Sequence, residues 1–284
     1  MRVITWNINS VRARLPRLVD VLRRHDPDVV CLQETKTSNA TFPSMAVGSL
    51  GYRLVLYGQP SYNGVAILVR DPSRRGDLAT FTNGSREADA QRPGLGFPTG
   101  VICGFAGNPV PNEARVVSAC VGGLRIVNAY VVNGSEIGSD IFHLKGQWME
   151  SFGRWLRQLP KDPPILVLGD FNVAPDDRDV WDPEGLRHRI HCTPEERAWL
   201  LRFQGDELHD LLRVVSDNAG HYTWWPYQRG AFERDEGLRF DLALGDKRVA
   251  SRVINVWVDH SERRVSPAKE PPSDHAPLIL DLAA

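Results

Sequence analysis

Short apolar runs that end in polar residues recur along the chain and predict β-strands. Residues 3–6 and 29–32 are two such runs, and between them apolar residues repeat at helical spacing from Leu15 to Leu22. Pro16 suits the first turn of that helix. Further strands are predicted over residues 52–56, 65–69, 115–121, 124–132, 165–168, 239–244, 253–258 and 277–282.

Two more helices are indicated by apolar stripes and by end signals. One spans about residues 141–159 and carries Lys145 on its apolar stripe. The other begins at Thr193, where the spacing to Glu196 is that of a capping box.

The order and grouping of these elements favour one fold class. Adjacent strands predict hairpins, which argues against a purely parallel sheet. Two packed, mostly antiparallel β-sheets flanked by helices would bury the apolar pattern, so we expect a four-layer α/β-sandwich. Residues 82–112 are rich in Gly and Pro, and strands resume directly after them. They are therefore predicted to be a surface insertion within one domain of residues 1–284.

The composition is that of an ordinary globular protein, with 42% hydrophobic and 24% charged residues among 284. The net charge of −1 neither indicates nor excludes a nucleic-acid ligand, because a local basic face can bind phosphates whatever the total. Arg12 and Arg14 lie beside the candidate site described below and are the better candidates for phosphate contact. The alternative for the whole cluster, which consists of Arg12, Arg14, Arg17, Arg23 and Arg24, is a solvated helix face together with a bias toward arginine. For Arg23 and Arg24 this explanation is at least as good as DNA contact.

The compartment follows from the cysteines and from the apolar runs. The four cysteines show no metal-type spacing, and Cys31 and Cys120 sit inside apolar strand patterns, which predicts reduced thiols. No apolar run reaches membrane-spanning length, and the first residues enter a strand. We therefore expect a cytoplasmic protein, associated with the nucleoid when it is bound to DNA.

Polar side chains of chemical interest follow or precede apolar runs at several strand ends. Asp170 and Asn172 come directly after one such run, and Gly169 before them indicates a close backbone approach. Asp274 and His275 come just before the last run. Such groups are costly to cluster unless a cation or a reacting group uses them.

Asn7 and Glu34 end the first two predicted strands. Singly, Asn7 would be a turn residue, Glu34 a surface or helix-capping group, and Asp274 part of a capped turn. The recurrence at separate strand ends instead indicates metal-assisted hydrolysis. Oxygen donors without cysteine favour Mg²⁺, or Mn²⁺, over Zn²⁺. Such a cation acts best on phosphate esters.

Seven segments extend this constellation along the whole chain. They are TWNINSVRA at 5–13, LQETK at 32–36, NAYVVNG at 128–134, GDFNVAP at 169–175, YTWW at 222–225, GLRFD at 237–241 and SDHAP at 273–277. Together they resemble the exonuclease III family of abasic-site endonucleases, within the endonuclease/exonuclease/phosphatase superfamily. The LQETK and YTWW segments point to its DNA-repair branch.

The resemblance implies a role for each matching site residue. Glu34 would be the main metal ligand, with Asn7 and Asp274 near the same cation. Asp170 would orient or deprotonate the attacking water, helped by Asn172. These roles agree with phosphoryl transfer, which needs alignment and charge neutralisation more than covalent chemistry.

The resemblance also implies groups that hold the phosphate. His275, polarised by Asp241, would bind a phosphate oxygen and stabilise charge in the transition state. Tyr130 would contact the phosphate or the leaving 3′ oxygen, and Asn133 and Lys36 would steady the phosphate region.

Three apolar residues match the family positions that line a pocket for a flipped abasic sugar. They are Trp224, Leu238 and Phe240. Apolar walls suit a deoxyribose without its base. The alternative is that each of them belongs to an ordinary core.

The chain departs from the family pattern in loops expected to face DNA. Val132 replaces a proline, Pro226 and Gln228 interrupt the aromatic segment, and Asp235 and Glu236 replace Asn-Arg. Loss of arginine predicts weaker phosphate contacts and a smaller salt dependence of binding.

The resemblance implies a Mg²⁺-dependent DNA repair nuclease that cuts on the 5′ side of abasic sites. It would also remove nucleotides or blocking groups from 3′ ends of double-stranded DNA. We expect it to act as a monomer and to bind no membrane. One alternative is a phosphodiesterase of the same superfamily that acts on RNA or another phosphate ester. Another is a catalytically silent nucleic-acid-binding member.

Overall fold

A computed structural model describes residues 1–71, 95–265 and 270–284. Within these ranges, twelve strands form two six-stranded sheets. The strands are β1 (Arg2–Asn7), β2 (Val29–Gln33), β3 (Tyr52–Tyr57), β4 (Val65–Arg70), β5 (Thr99–Cys103), β6 (Val116–Val121), β7 (Leu124–Tyr130), β8 (Ile165–Asp170), β9 (His209–Asp210), β10 (Asp241–Gly245), β11 (Val253–Val258) and β12 (Leu278–Leu282). The α-helices are α1 (Leu15–His25), α2 (Ser44–Gly48), α3 (Asp140–Gln158), α4 (Pro183–Leu186), α5 (Pro194–Gln204), α6 (Leu211–Val215) and α7 (Lys247–Ala250).

Both sheets are mixed, with one parallel pair each. The first has the order β11-β12-β1-β2-β4-β3 and the second β5-β6-β7-β8-β10-β9. Strands β1 and β2 run parallel, as do β7 and β8, and the other neighbouring pairs are antiparallel. The predicted pair of mostly antiparallel sheets is confirmed.

The strand period of two divides the apolar residues between an inner and an outer core. On β2, Val29 and Cys31 pack in the inner core, which holds side chains from both sheets. Val30 and Leu32 point the other way and pack with the apolar face of α1. The outer face of the second sheet is covered by α3, which contributes three aromatic residues to a separate cluster. The order helix, sheet, sheet, helix is the predicted four-layer sandwich.

The helix end signals act as expected. The hydroxyl of Ser139 accepts a hydrogen bond from the Phe142 amide and caps α3, which begins one residue before the predicted start. Thr193 and Glu196 form the predicted capping box of α5. In the described part of the chain, no helix is both long and apolar enough to cross a bilayer.

Two predicted segments need correction. Residues 82–94 of the predicted insertion lie outside the described ranges, but Thr99–Cys103 forms β5, which pairs with β6. Most of β5 is exposed, so it lacks the apolar alternation that reveals a strand. The strand predicted from residue 239 begins instead at Asp241, because the amides of Arg239 and Phe240 bond to the Asp179 carbonyl and to the Thr223 hydroxyl outside the sheet.

All four cysteines lie in the described ranges and are free thiols. Cys31 is buried as predicted, and burial raises the pKa of its thiol. Cys120 is only partly buried, and Cys103, on the exposed strand β5, is open to solvent.

Candidate active site

The polar strand ends predicted from sequence meet at one rim of the two sheets. Asn7 ends β1, Asp170 ends β8, and Glu34 directly follows β2. The Asn7 amide nitrogen donates hydrogen bonds to Glu34 Oε1 at 2.8 Å and to Asp170 Oδ2 at 2.9 Å. Because β1 and β8 belong to different sheets, this buried amide joins the two sheets at the site.

A glycine sets the position of Asp170 on its strand. Gly169 has a φ of +147°, and a β-carbon there would lie 1.8 Å from the carbonyl oxygen of Ala129 on β7. Only glycine allows this close approach, as the sequence predicted. Asp170 is consequently buried, and its Oδ1 accepts a 2.8 Å hydrogen bond from the Asn172 amide.

Two carboxylates flank the imidazole of His275. Nδ1 of His275 lies 2.7 Å from Asp241 Oδ2, and Nε2 lies 3.6 Å from Asp170 Oδ2. The antiparallel register sets Asp241 directly opposite Asp170 on neighbouring strands. Among the described residues, the second oxygen of Asp241 is buried with no hydrogen-bond partner.

This arrangement shifts two proton equilibria. Burial raises the pKa of Asp170 to about 7, and Asp241 adds to the rise while His275 opposes it. Burial disfavours the charged form of His275, but the charges of Asp241 and Asp170 outweigh it and raise its pKa to about 10. The site therefore holds an imidazolium beside a carboxyl group that can exchange a proton near neutral pH.

The loop that carries Asp274 and His275 is tied to β1. Ser273 Oγ donates a 2.7 Å hydrogen bond to the Asn7 carbonyl and accepts a 3.2 Å bond from the His275 amide. The indole of Trp6 donates to the His275 carbonyl at 3.1 Å. Strand β1 thus fixes the geometry of this loop, which the loop sequence alone does not determine.

A chain of polar contacts links Glu34 to Asp274. Lys36 Nζ lies 2.8 Å from Glu34 Oε2 and donates to Asn9 Oδ1 at 2.6 Å. The Asn9 amide nitrogen donates to Asp274 Oδ1 at 2.9 Å. Asn9 lies within the TWNINSVRA segment, but no role was predicted for it. Its position two residues after Asn7 was the signal for it.

The donors at this rim fit a hard divalent cation. Carboxylate and amide oxygens predominate there, and Glu34 keeps 18% of its side chain exposed. In the described ranges, no three His, Cys, Asp or Glu side chains form a complete ligand set. Mg²⁺ is commonly bound by one or two carboxylates and completed by water or phosphate oxygens, so the donor set suits it better than Zn²⁺.

Tyr130 and Asn133 lie on the side of the second sheet. Burial, followed by the negative charges of Glu34 and Asp170, raises the pKa of Tyr130 well above its ordinary value, so it remains a neutral phenol. The Arg115 guanidinium lies 4.8 Å from the centre of the Tyr130 ring. Asn133 donates a 3.1 Å hydrogen bond to Asn172 Oδ1.

A buried lysine supports the two asparagines from behind. Lys145 Nζ donates to the carbonyls of Asn172 at 2.7 Å and Asn133 at 3.1 Å, and lies 2.5 Å from Glu196 Oε1. Neither side chain of this ion pair is exposed. Lys145 was predicted only as part of the apolar stripe of a helix, and this supporting role was not predicted.

The three predicted pocket residues also lie together. The rings of Trp224 and Phe240 stack with centroids 5.0 Å apart, and Leu238 packs in the same cluster. Leu238 and Phe240 are buried, whereas Trp224 is partly exposed and donates a 3.1 Å hydrogen bond to Asp274 Oδ2. An apolar wall therefore adjoins the polar site.

The arginines and the departing loop residues take different positions. Arg14 bonds to the backbone of Asn9 beside the site. Arg17 is buried against Glu262, so a solvated helix face was the wrong interpretation for it. Glu236, one of the residues that depart from the family pattern, forms an ion pair with Arg234 at 2.6 Å. An arginine therefore lies beside this carboxylate.

A profile described as Endonuclease/Exonuclease/phosphatase family matches residues 4–275. The chain belongs to this family. It is 30% identical to exodeoxyribonuclease III of Haemophilus influenzae, and the match covers 98% of both chains. It is 27% identical to the DNA repair nuclease APEX1 of Danio rerio, over 100% of this chain and 82% of that protein. These matches place it in the exonuclease III group of hydrolytic nucleases, which the seven segments predicted.

Solved structures from this family superpose on the whole chain. A 3′ phosphatase from Neisseria, NExo, bound to a product DNA hairpin, matches with a TM-score of 0.87 at 33% identity, and each chain is covered fully. An AP endonuclease from Archaeoglobus fulgidus matches with a TM-score of 0.85 at 29% identity, again over both full chains. The family is one of metal-dependent nucleases.

Proposed function

We propose that this protein is a Mg²⁺-dependent DNA repair nuclease. It incises DNA on the 5′ side of abasic sites and removes nucleotides or blocking groups from 3′ ends of double-stranded DNA. The observation that carries the proposal is the buried Asp170 carboxyl between Asn7 and His275, with Glu34 bound to the same amide. All these groups come from one chain, which supports action as a monomer.

Asp170 is assigned as the group that orients and deprotonates the attacking water. Its raised pKa makes the carboxylate a stronger base than an exposed aspartate. Hydrogen bonds from Asn7 and from the Asn172 amide hold its two oxygens in place. The side chain of Asn172, itself fixed by Asn133, assists in positioning.

His275 is assigned as the group that binds a phosphate oxygen and stabilises negative charge in the transition state. Asp241 fixes the ring by its bond to Nδ1 and keeps the imidazole protonated. Tyr130, a neutral phenol, is suited to donate a hydrogen bond to the phosphate or to the leaving 3′ oxygen. Lys36 adds a positive charge beside them.

Glu34 is assigned as the main metal ligand, with Asn7 and Asp274 near the same cation. When bound, Mg²⁺ supplies charge neutralisation at the phosphorus centre and at the leaving oxygen. Lys36 occupies one oxygen of Glu34 in this structure, at 2.8 Å. With a cation on that oxygen, the Lys36 ammonium would be available to a phosphate oxygen.

The apolar wall formed by Trp224, Leu238 and Phe240 supports the assignment of DNA as substrate. Trp224, Leu238 and Phe240 offer apolar surface next to the reacting groups, which suits a deoxyribose that has lost its base. The names of the nuclease relatives and the DNA-bound neighbour support the same substrate class.

The first test is cleavage of a labelled duplex that carries a tetrahydrofuran abasic analogue, with Mg²⁺ or with EDTA. We expect incision in the presence of Mg²⁺ and no incision in EDTA. Absence of Mg²⁺-dependent incision, with retained DNA binding, would identify a silent binding protein. Cleavage of RNA but not of the duplex would identify the alternative phosphodiesterase.

The second test is Asp170→Asn, which keeps the size of the side chain and removes the base. Cleavage should be lost while the Kd for duplex DNA changes by no more than about threefold. Asp246→Asn is the matched control, since Asp246 caps α7 beside Ile165, at the far end of β8, and asparagine caps helices equally well. Equal loss of binding and cleavage in Asp170→Asn would make Asp170 structural.

A further inference from the structure

A layer of buried polar side chains lies between the two sheets, directly beneath the polar rim. It consists of Thr5 on β1, Gln33 on β2 and Asn128 on β7, and none of the three is exposed. Asn7 and Tyr130 follow two residues later on β1 and β7, so the layer is one strand repeat away from the rim. Buried polar groups cost stability unless they are hydrogen-bonded, and the assignments above give these three no role.

Asn128 reaches from the second sheet to the end of β2. Its amide nitrogen donates to the carbonyl oxygens of Leu32 on β2 and Ala66 on β4, both at 2.9 Å. Its side-chain oxygen accepts a 2.7 Å hydrogen bond from Gln33 Nε2, which also donates to the Thr5 hydroxyl at 2.9 Å. In the described part of the chain, the side-chain oxygen of Gln33 is buried with no partner, so its nitrogen anchors this side chain.

These contacts come at the residues directly before Glu34. Leu32 and Ala66 form the last pair of the β2–β4 ladder, and Gln33 is the last residue of β2. Glu34 then leaves the strand with a φ of +49°, a conformation that costs energy for a residue with a β-carbon. The surrounding structure must hold the chain in this conformation, and Asn128 supplies three of the hydrogen bonds that do so from the opposite sheet.

We propose that Asn128 is a positioning residue for Glu34. By fixing the end of β2 against the second sheet, it sets the separation of Glu34 and Asp170, which the Asn7 amide spans. The inference rests on the proposed function, in which Glu34 is the main metal ligand, and it adds a residue that touches neither metal nor DNA. Removing a group that holds a metal ligand in place typically lowers metal affinity about tenfold or more.

The test is Asn128→Leu, which has the same branching but none of the three hydrogen bonds. Mn²⁺ is the probe, and its binding is measured without DNA from the loss of the free-ion EPR signal. We expect the Kd for Mn²⁺ to rise about tenfold. At saturating Mg²⁺, the KM for an abasic duplex should stay within about twofold of the wild-type value, because the fully buried Asn128 cannot contact DNA.

Ile126→Ala is the matched control. Ile126 faces the inner core on the same strand as Asn128, one strand repeat farther from the rim. Its truncation leaves a cavity and lowers the melting temperature, but the Kd for Mn²⁺ should change by less than about twofold. A merely structural role of Asn128 would give this same result in Asn128→Leu. Glu34→Gln identifies the part of the Mn²⁺ signal that belongs to the site.

An unchanged Kd in Asn128→Leu, with a wild-type CD spectrum, overturns the inference and leaves the proposed function standing. If the wild type binds no Mn²⁺, or if Glu34→Gln binds it equally well, the metal role of Glu34 is refuted, and this inference with it. Gln33→Met replaces the leucine variant if that variant does not fold. It removes the bond to Asn128 and keeps the two bonds to the carbonyls, so the Kd should rise about fivefold, which corresponds to one neutral hydrogen bond. An unchanged Kd in Gln33→Met would overturn the inference in the same way.

Discussion

The ion pair between Lys145 and Glu196 offers a sharp test of how the site is supported. Both side chains are fully buried, one on α3 and the other in the first turn of α5. Lys145 Nζ uses its three hydrogens on Glu196 and on the carbonyls of Asn133 and Asn172. Lys145→Met nearly keeps the length of the side chain but removes its charge and all three hydrogen bonds.

The size of the effect follows from what Lys145→Met leaves behind. Glu196 would remain a buried carboxylate without a counter-charge, which costs about 3–5 kcal/mol. Thr193 still donates to Glu196 Oε2 at 2.8 Å, so we expect about 4 kcal/mol, and a Tm lower by roughly 10 °C. The kcat should fall as well, because the backbone of Asn133 and Asn172 loses its anchor.

Urea unfolding of the wild type, Lys145→Met, Glu196→Gln and the double variant measures the pairing. Because the double variant buries no unpaired charge, its loss should be at least about 2 kcal/mol smaller than the sum of the single losses. The exposed pair Lys161–Glu207, also 2.5 Å long, is the control, and Lys161→Met should cost less than about 0.5 kcal/mol. Equal losses for Lys145→Met and Lys161→Met, or additive losses in the cycle, would refute the reasoning.

Three further predictions concern the site itself. Gly169→Ala should destabilise the fold by more than about 4 kcal/mol, because its β-carbon would meet the Ala129 carbonyl at 1.8 Å, and an unchanged melting temperature would contradict this. The raised pKa of His275 stabilises the fold fully below the unfolded value of 6.5, and this contribution is lost as the pH rises through about 10. In EDTA, Asp241→Asn should therefore flatten the fall of the unfolding free energy between these pH values, whereas a profile parallel to the wild type would show that another group is responsible. Glu34→Gln should raise the Mg²⁺ concentration for half-maximal cleavage at least about tenfold, and an unchanged titration would assign the metal to other residues.

The strands and their polar ends were predictable because both signals are local. The unbroken apolar run from Val29 to Leu32 records two buried faces, and Asn7 and Asp170 stand where apolar runs stop. The capping box at Thr193 was readable for the same reason. The family resemblance added the order of the segments and the expected roles, which remain predictions for the individual residues.

Other features depend on partners far away in the chain. Asn7 joins Glu34 to Asp170, 163 residues away from it, and no local pattern specifies that contact. Strand β5 was invisible because its side chains are exposed and only its pairing with β6 defines it.

Patterning along the chain was therefore enough for the layers of the fold and for the list of polar strand ends, since burial imposes a period on residues close in sequence. The tertiary structure alone decided the protonation of His275 and the buried charge of Lys145. Each of these depends on a distance of a few ångströms between elements that are far apart in the sequence. Electrostatic and hydrogen-bond energies change steeply over such distances, and composition and spacing carry no record of them.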